Sequence, residues 1–268
     1  NSNSNSNSNS ILQLRGIKAT PRSGAGLISI DSLNVDAGRI VGVAGVSGNG
    51  QSELMEILSG QRPLLSGSMQ VDGQPYTPTR KAAREAGVRY LPEEPLLNAC
   101  AARMSVAENI AFRNYDLKAD GKPAWWLDRT AIRNHGKDMI AAFNVKTTSP
   151  GAPIDSLSGG NVQRAVLARE LTGDIRLLIA SNPCFGLDFT AVAETRERLR
   201  AARAAGTAIL LLSEDLDEIL ELADTIVVMS DGSINYQCSR DEAEVSTIGH
   251  YMAGHAGDSI TSINSAHA

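Results

Sequence analysis

The sequence lacks an apolar run long enough to cross a bilayer. Its longest apolar runs, such as AILLL at residues 208–212, are far shorter than the roughly 20 residues that a membrane-spanning helix needs. A charged segment followed by an apolar one, which would indicate a secretory signal, is also missing from its start. The composition is that of an ordinary soluble protein, and we expect a cytoplasmic location.

Cysteine and histidine are scarce as well. Cys100, Cys184 and Cys238 are odd in number, widely spaced and without a CxxC pair, so they predict neither a disulfide framework nor a zinc site. The four histidines show no metal-ligand spacing. We therefore expect reduced thiols with a structural role and no metal site built from these residues.

Positive charge is not in excess either. The formal net charge is -5, which argues against nucleic acid or anionic lipid as the primary partner. With 268 residues, of which 42% are hydrophobic, the chain can bury a full core and has room for one large domain or two lobes.

The two ends of the sequence differ in composition from the rest. Residues 1–10 repeat Asn-Ser and contain nothing to bury, so we expect a flexible or engineered leader. The sequence does not begin with Met, which is consistent with a piece of a longer polypeptide. Residues 11–252 are expected to form the folded domain, and residues 253–268, rich in Ser, Gly and Ala, a flexible tail.

The sequence between its two ends predicts an α/β protein. Residues 11–43 alternate apolar and polar residues between turn signals, as short antiparallel strands do. A second β-rich patch follows at residues 67–78. Residues from about 96 to 160 are mainly helical and predict an inserted lobe. Helices and short apolar strands then alternate, ending in one strand at 225–234, which predicts a parallel sheet covered on both faces.

The stretch GVSGNGQS, which follows a buried strand, predicts a phosphate-binding loop. Glycines there let backbone N–H groups turn towards phosphate oxygens at the start of a helix, although a plain strand-to-helix turn is the alternative. Ser52 is a candidate Mg²⁺ ligand, and the lysine slot of the GxxxxGK[ST] pattern holds Gln51. The candidate nucleotide-binding residues are Gly45, Ser47, Gly48, Asn49, Gly50, Gln51 and Ser52.

The stretch SLSGGNVQRAVLAREL at residues 156–171 is the most specific motif. A serine hydroxyl and glycine N–H groups at a helix N-terminus can cap a γ-phosphate. The candidate residues are Leu157, Ser158, Gly159, Gly160, Asn161 and Gln163.

This stretch resembles the signature motif of ABC ATPases, and the resemblance covers nearly the whole chain after the leader. It implies a P-loop NTPase fold of the ABC type, with an antiparallel β subdomain and an inserted helical subdomain. More narrowly, GNGQSELMEILSG, YLPEEP and SEDLDEIL resemble the C-terminal half of the double-domain ATPase subunits of nucleoside and simple-sugar importers.

The resemblance also implies that the chain's own ATP site is degenerate. Gln51 stands where the family has lysine, Ser181 where a carboxylate orients Mg²⁺, and Asn182 where a glutamate polarises water. Glu93 replaces a glutamine and Glu214 a histidine, and no aromatic residue between 11 and 42 can stack on adenine. Phosphoryl transfer relies on positioning and positive charge, and losing one preorganised group costs about 10²–10³ in rate. We predict weak or absent binding of ATP and Mg²⁺, and little or no hydrolysis by this domain alone.

In this family two domains pair head to tail, and each ATP lies between one phosphate loop and the other domain's signature. The resemblance therefore implies that this domain completes the ATP site of a companion N-terminal ABC domain. Gly186, Leu187 and Asp188 would lie at the dimer interface. Transmembrane permease subunits would hold the domain at the inner face of the membrane, and an extracytoplasmic solute-binding protein would act indirectly.

The resemblance places residues 95–104 near the groove for the permease's coupling helix. Trp125 and Trp126 are expected to pack inside the helical lobe rather than contact that helix. Three alternatives remain open. They are a regulatory or structural ABC protein without a transport role, an active ATPase that uses Glu214 or Asp215 as its base, and a scaffold that does not depend on nucleotide.

Overall fold

The computed structural model describes residues 9–21, 26–111 and 128–254. Its strands are β1 (Ser10–Ala19), β2 (Ile28–Asp36), β3 (Ile40–Ala44), β4 (Ser66–Val71), β5 (Gln74–Pro75), β6 (Val88–Leu91), β7 (Leu177–Ser181), β8 (Ala208–Ser213), β9 (Thr225–Ser230) and β10 (Ser233–Ser239). Its α-helices are α1 (Gln51–Leu58), α2 (Arg80–Ala86), α3 (Pro95–Asn98), α4 (Val106–Ala111), α5 (Arg129–Ala142), α6 (Gly159–Glu170), α7 (Phe189–Ala204), α8 (Leu216–Leu222) and α9 (Val245–Met252).

The described strands form one sheet in the order β5-β4-β1-β2-β10-β9-β3-β8-β7-β6. The strands β5, β4, β1 and β2 pair antiparallel, whereas β9, β3, β8, β7 and β6 pair parallel. Between these halves, β10 runs antiparallel to β9 and meets β2 in parallel at the single registered pair Ser233 and Ser29. The predicted mixture of an antiparallel part and a parallel α/β part is confirmed.

The parallel strands are covered on both faces, as their continuous apolar sequences predict. Every residue of β3, β7 and β8 is buried. On one face their side chains pack with α1 and α2, and on the other with α4 and α6 to α9. The carboxyl ends of β3, β6, β7 and β8 consequently meet at one edge of the sheet.

The end of the parallel half differs from the sequence prediction. Residues 225–234 were predicted as one strand, but β9 ends at Ser230 and the chain reverses into β10. Asp231 and Gly232 make this turn with φ of 49° and 78°. An Asp-Gly pair favours such a two-residue hairpin, because both residues tolerate positive φ.

The structure describes both ends of the segment that is predicted as the folded domain. Strand β1 begins at Ser10, one residue inside the expected leader. The remainder of the leader up to residue 8, the tail from residue 255, and Trp125 and Trp126 lie outside the described residues, so those predictions stay predictions.

The helical lobe predicted at about 96–160 contains α3, α4, α5 and the start of α6 among its described residues. Helices α4 and α5 approach closely, since a Cβ on Gly136 would stand 2.6 Å from the Cβ of Ala107. Within the described ranges, no helix combines the length and the apolar character needed to span a membrane.

Candidate functional site

The predicted phosphate loop joins β3 to α1 at residues 45–50. Gly48 and Gly50 have φ of 87° and 112°, which glycine adopts without the steric cost of a Cβ. A Cβ on Gly45 would lie 2.8 Å from the carbonyl oxygen of Met229, so glycine is also required there by space. Ser47 and Gly48 are exposed. The loop thus presents its backbone at the start of α1, the arrangement that phosphate oxygens prefer.

Gln51 occupies the first position of α1, where its side chain folds back over the loop. It fills the space in which a Cβ on Gly45 would stand, and it is only 8% exposed. Its Nε2 has no hydrogen-bond partner among the residues that the structure describes. Gln51 offers a neutral amide and no positive charge to a phosphate. Ser52, the candidate Mg²⁺ ligand, is exposed and lines the same groove as Ser181.

Asn49 connects the phosphate loop to the C-terminal part of the domain. Its Oδ1 accepts from the backbone N–H of Asp231 at 3.2 Å, and its carbonyl accepts from that of Gly232 at 3.0 Å. Its Nδ2 donates to the carbonyl of Met252, at the end of α9, at 3.5 Å. The loop is therefore held by the β9–β10 turn and by α9.

Asn182 brings three predicted site residues together at the end of β7. Its Nδ2 donates to Oε1 of Glu93, which follows β6. Its Oδ1 accepts from the backbone N–H of Glu214 at 2.9 Å, and its own N–H donates to the carbonyl of Leu212 at 2.8 Å. Asn182 has φ of 40°, a conformation that asparagine tolerates better than most residues. Ser181, 8% exposed, lies beside this cluster, so four of the five residues predicted as departures from an active site meet at one place, whereas Gln51 folds over the phosphate loop.

This cluster is acidic. Burial, followed by the nearby charges of Glu214 and Glu94, raises the pKa of Glu93 above its usual value. Asp215, considered as an alternative base, instead uses Oδ1 to cap α8, accepting from the backbone N–H groups of Asp217 at 3.0 Å and Glu218 at 3.4 Å. The carboxylates near the end of β7 therefore add negative charge where ATP would bring more.

The signature stretch begins α6 and exposes its first residues. Ser158 and Gly159 are exposed, and a Cβ on Gly159 would meet no atom within 4 Å. Asn161 supports them from beneath, because its Nδ2 donates to the Oγ of Ser158 at 2.9 Å while its Oδ1 accepts from the backbone N–H of Lys146 at 2.8 Å. Leu157 is half-buried and Gly160 is buried. Two of the predicted signature residues thus face outward on a supported backbone.

Two side chains attach α6 to its neighbours. Gln163 is 2% exposed and its Nε2 donates to the carbonyl of Pro183 at 2.7 Å. Its side chain therefore faces the interior rather than the surface that a partner's ATP would contact. Arg169, in the last turn, donates from Nη1 to the carbonyl of Ala99 at 2.6 Å and from Nε to Glu170 at 3.0 Å.

The predicted interface loop, residues 186–188, lies between two exposed aromatic side chains. Gly186 has φ of 71°, and Asp188 caps α7 by accepting from the backbone N–H of Ala191 at 2.9 Å. Leu187 is half-buried. Phe185 and Phe189 are 78% and 95% exposed. Exposed aromatic side chains beside an ordered loop are typical of a surface that contacts another protein.

A groove of about 810 Å³ runs from the cluster at β7 to the helical lobe. At one end it is lined by Ser52, Glu93 and Ser181. At the other end it is lined by residues 97–101, within the 95–104 segment that the sequence analysis singled out. At this end of the groove, Leu97 is 75% exposed. Burial raises the pKa of the nearby Cys100 thiol to about 11, so this thiol is protonated at neutral pH.

The sequence analysis missed Pro183, Asn98 and Arg169. Pro183 accepts through its backbone carbonyl, and Asn98 donates from Nδ2 to the carbonyl of Glu93 at 2.6 Å, so no motif marks either residue. Arg169 leaves a signal, because it and Glu170 interrupt the apolar run of a helix that is buried along nearly its whole length. Charged residues are rarely buried unless they are paired, so an adjacent Arg-Glu pair there indicates a structural tie.

A family model described as ABC transporter matches residues 28–184, more than half of the chain. The chain belongs to the ABC transporter family. The phosphate loop, the signature stretch and the β7 end described above are therefore parts of an ABC transporter ATP-binding domain.

Curated import ATP-binding proteins match over most of the chain. The glucose import ATP-binding protein TsgD13 of Haloferax volcanii is 36% identical over 247 residues, which are 91% of this chain and 45% of that protein. The nucleoside import ATP-binding protein NupA of Lactococcus lactis subsp. cremoris is 36% identical over 245 residues, with 91% and 48% covered. The chain thus spans about half the length of the curated relatives it matches.

Solved ABC transporter structures share the fold. The cbiO1 protein of Clostridium perfringens superposes with a TM-score of 0.69 at 20% identity, covering 91% of this chain and 99% of that one. A second ATP-binding subunit of an ABC transporter gives a TM-score of 0.70 at 17% identity, with 91% and 99% covered. The P-loop NTPase fold of the ABC type that the sequence implied is confirmed.

Proposed function

We propose that this chain is the ATP-binding domain of an importer for nucleosides or simple sugars, in which it completes a partner's ATP site and does not turn over ATP at its own. The relatives support the transported class, since they are named for the import of glucose, nucleosides, guanosine, arabinose and ribose. Because the chain spans about half of each, a companion domain of similar size accounts for the remaining length.

The side chains around the phosphate loop do not fit a hydrolytic Mg²⁺-ATP site. The loop backbone suits phosphate, and Ser52 is placed to reach a cation. However, the remaining positions hold the neutral amides Gln51 and Asn182 and the hydroxyl of Ser181, while Glu93 and Glu214 add negative charge. Because residue 51 is not a cation and residue 182 is not a carboxylate that could orient water, phosphoryl transfer at this loop would lose its main sources of stabilisation. We infer weak or absent binding of ATP and Mg²⁺ in this site.

The exposed signature carries the proposal. Ser158 and Gly159 face solvent at the start of α6, and Asn161 donates to the Ser158 hydroxyl while it accepts from the backbone of Lys146. A γ-phosphate held by a partner's phosphate loop would receive the Ser158 hydroxyl and the N–H groups at this helix end. The signature thus exposes groups that a partner's ATP could reach. At the end of β7, by contrast, Asn182 is hydrogen-bonded to Glu93 and Glu214 of the same domain.

The proposed function also implies which surfaces of the domain contact its partners. The loop at residues 186–188, with Phe185 and Phe189 beside it, would contact the companion N-terminal ABC domain. The groove beside residues 97–101 would receive a permease subunit, which places the domain at the cytoplasmic face of the membrane. A solute-binding protein would act through the permease. Residues 11–252 would form the domain.

Gly159→Asp in the assembled transporter tests the shared site. The substitution leaves the fold of this domain unstrained, because a Cβ there meets no atom within 4 Å. It adds a negative charge where the partner's γ-phosphate would lie, and we expect ATP turnover to fall about 10²-fold or more. The matched control is Gly249→Asp, a second helical glycine whose Cβ would meet no atom within 4 Å, which should leave turnover unchanged. Unchanged turnover in Gly159→Asp would show that the signature touches no ATP and would favour a scaffold role.

Steady-state turnover of the isolated chain with Mg²⁺-ATP tests the other half of the proposal. We expect background rates at every protein concentration. A turnover rate that rises with protein concentration would show that two copies of the chain pair and hydrolyse ATP. It would refute the proposal that the chain's own ATP site is degenerate.

A further inference from the structure

We propose that Asn182 is a positioning residue that ties the ends of β6, β7 and β8 together and thereby fixes the signature helix without nucleotide. The inference rests on the proposed function, because it concerns how the signature is held ready for a partner. It assigns a structural task to the position where an active domain of this family holds its carboxylate.

The geometry of Asn182 uses both halves of its amide. The donor half reaches Oε1 of Glu93 after β6, and the acceptor half takes the backbone N–H of Glu214 after β8 at 2.9 Å. The Asn182 backbone N–H adds a bond to the carbonyl of Leu212 in β8 at 2.8 Å. In an active domain, these three segments are the ones that nucleotide, metal and water would connect. Here the chain connects them with its own atoms.

A carboxylate at residue 182 could not make this connection. An ionised Asp or Glu only accepts hydrogen bonds, so it would have no donor for Glu93 and would bring two negative charges together. The raised pKa of Glu93 shows that negative charge is already unfavourable there. Asn182 therefore suits a position that faces Glu93, because its amide donates to a side chain that a carboxylate at residue 182 would repel.

Two routes lead from this cluster to α6. The residue after Asn182 is Pro183, whose carbonyl accepts from the buried Nε2 of Gln163 at 2.7 Å, in the second turn of the signature helix. On the other side, the carbonyl of Glu93 accepts from Nδ2 of Asn98 at 2.6 Å. The carbonyl of Ala99, the residue after Asn98, accepts from Arg169 in the last turn of α6.

The signature helix is consequently held near both ends by segments that Asn182 joins. A nucleotide-free half with this bracing can present Ser158 and Gly159 in one orientation before the partner's ATP arrives.

Amide hydrogen exchange on the assembled transporter tests this role. Asn182→Gly keeps the positive φ without strain and removes both side-chain bonds, and Asn182→Asp removes the donor and adds repulsion. Because one hydrogen bond contributes about 1 kcal/mol, we expect exchange at residues 93–99 and 158–164 to be roughly 5–10-fold faster in both variants.

The decisive control reverses the polarity of the bond. In the double variant Asn182→Asp with Glu93→Gln, the glutamine amide donates to the aspartate, and exchange should return to the wild-type rate. Glu93→Gln alone keeps an acceptor oxygen for Asn182, so its exchange should be as slow as wild type or slower. Restoration by the double variant is a result that a general loss of packing would not produce.

The outcomes separate this inference from the function on which it rests. Wild-type exchange in Asn182→Gly, or an unrescued double variant, overturns the positioning role even if Gly159→Asp abolishes turnover. Conversely, fast exchange in Asn182→Gly with unchanged turnover in Gly159→Asp supports the tie and removes the shared ATP site.

Discussion

Replacing Arg169 by Met should break a buried ion pair at the end of α6 and the hydrogen bond that joins this helix to Ala99 in the lining of the groove. Arg169 is 7% exposed and its partner Glu170 is fully buried. The substitution keeps most of the side-chain volume, loses the 2.6 Å bond to Ala99, and leaves a buried carboxylate without its guanidinium. Breaking a buried pair in this way costs about 3–5 kcal/mol, a large share of the ~5–15 kcal/mol that stabilises a typical domain.

Urea unfolding of the chain at neutral pH, followed by circular dichroism, measures this cost directly. The exposed pair between Arg176 and Asp72, with side chains 48% and 49% exposed, supplies the control, and Arg176→Met should cost about 1 kcal/mol or less. Adding Glu170→Gln to Arg169→Met should recover part of the loss, since it removes a buried negative charge that has lost its guanidinium. A cost for Arg169→Met no larger than that of the Arg176 control would refute the reasoning.

Three further predictions concern packing and pH. Gly136→Ala should destabilise by about 1–2 kcal/mol in the same urea assay, because overpacking against α4 exceeds the gain in helix propensity, whereas Gly249→Ala in open space should stabilise by about 0.5–1 kcal/mol. Glu93→Gln should raise the unfolding free energy at neutral pH, and this gain should vanish as pH falls below 4.5, because the raised pKa makes ionisation of Glu93 unfavourable in the folded state. The bond from Arg164 lowers the pKa of Glu194, so the stability lost in Arg164→Met should be largest at neutral pH and shrink below pH 4.5, as urea titrations at several pH values would show. A pH-independent difference would contradict either of the last two.

The sequence predicted the fold closely because local patterns mark its main elements. The buried run at residues 177–181, the alternating residues of β1 and β2, and the Gly-rich turn before α1 each carry a periodic or turn signal. The prediction of one strand at 225–234 is wrong because an apolar run leads directly into an Asp-Gly turn. The apolar pattern alone does not mark the point at which the chain reverses.

The site was predictable in its members but not in its bonds. Motif positions identified Gln51, Asn182 and Glu93, yet no local pattern shows that a side chain at 182 meets one at 93. Asn182 and Glu93 lie 89 positions apart in the sequence, and the pairing of β6 with β7 brings them together. The folding back of Gln51 over Gly45 is likewise a matter of side-chain rotamer, which motif spacing does not encode.

The position of β3 within the sheet has a consequence for how the chain folds during synthesis. This strand, which leads into the phosphate loop, hydrogen-bonds to β8 and β9 and thus to partners about 170 residues further along the chain. At ~5–20 residues per second, the ribosome delivers those partners on the order of 10–30 s after β3 itself. The antiparallel pair of β1 and β2, separated by a short connection, can form within that interval. The nucleotide-facing edge of this domain is therefore among the last parts to assemble, and until then its central strand requires protection from competing partners.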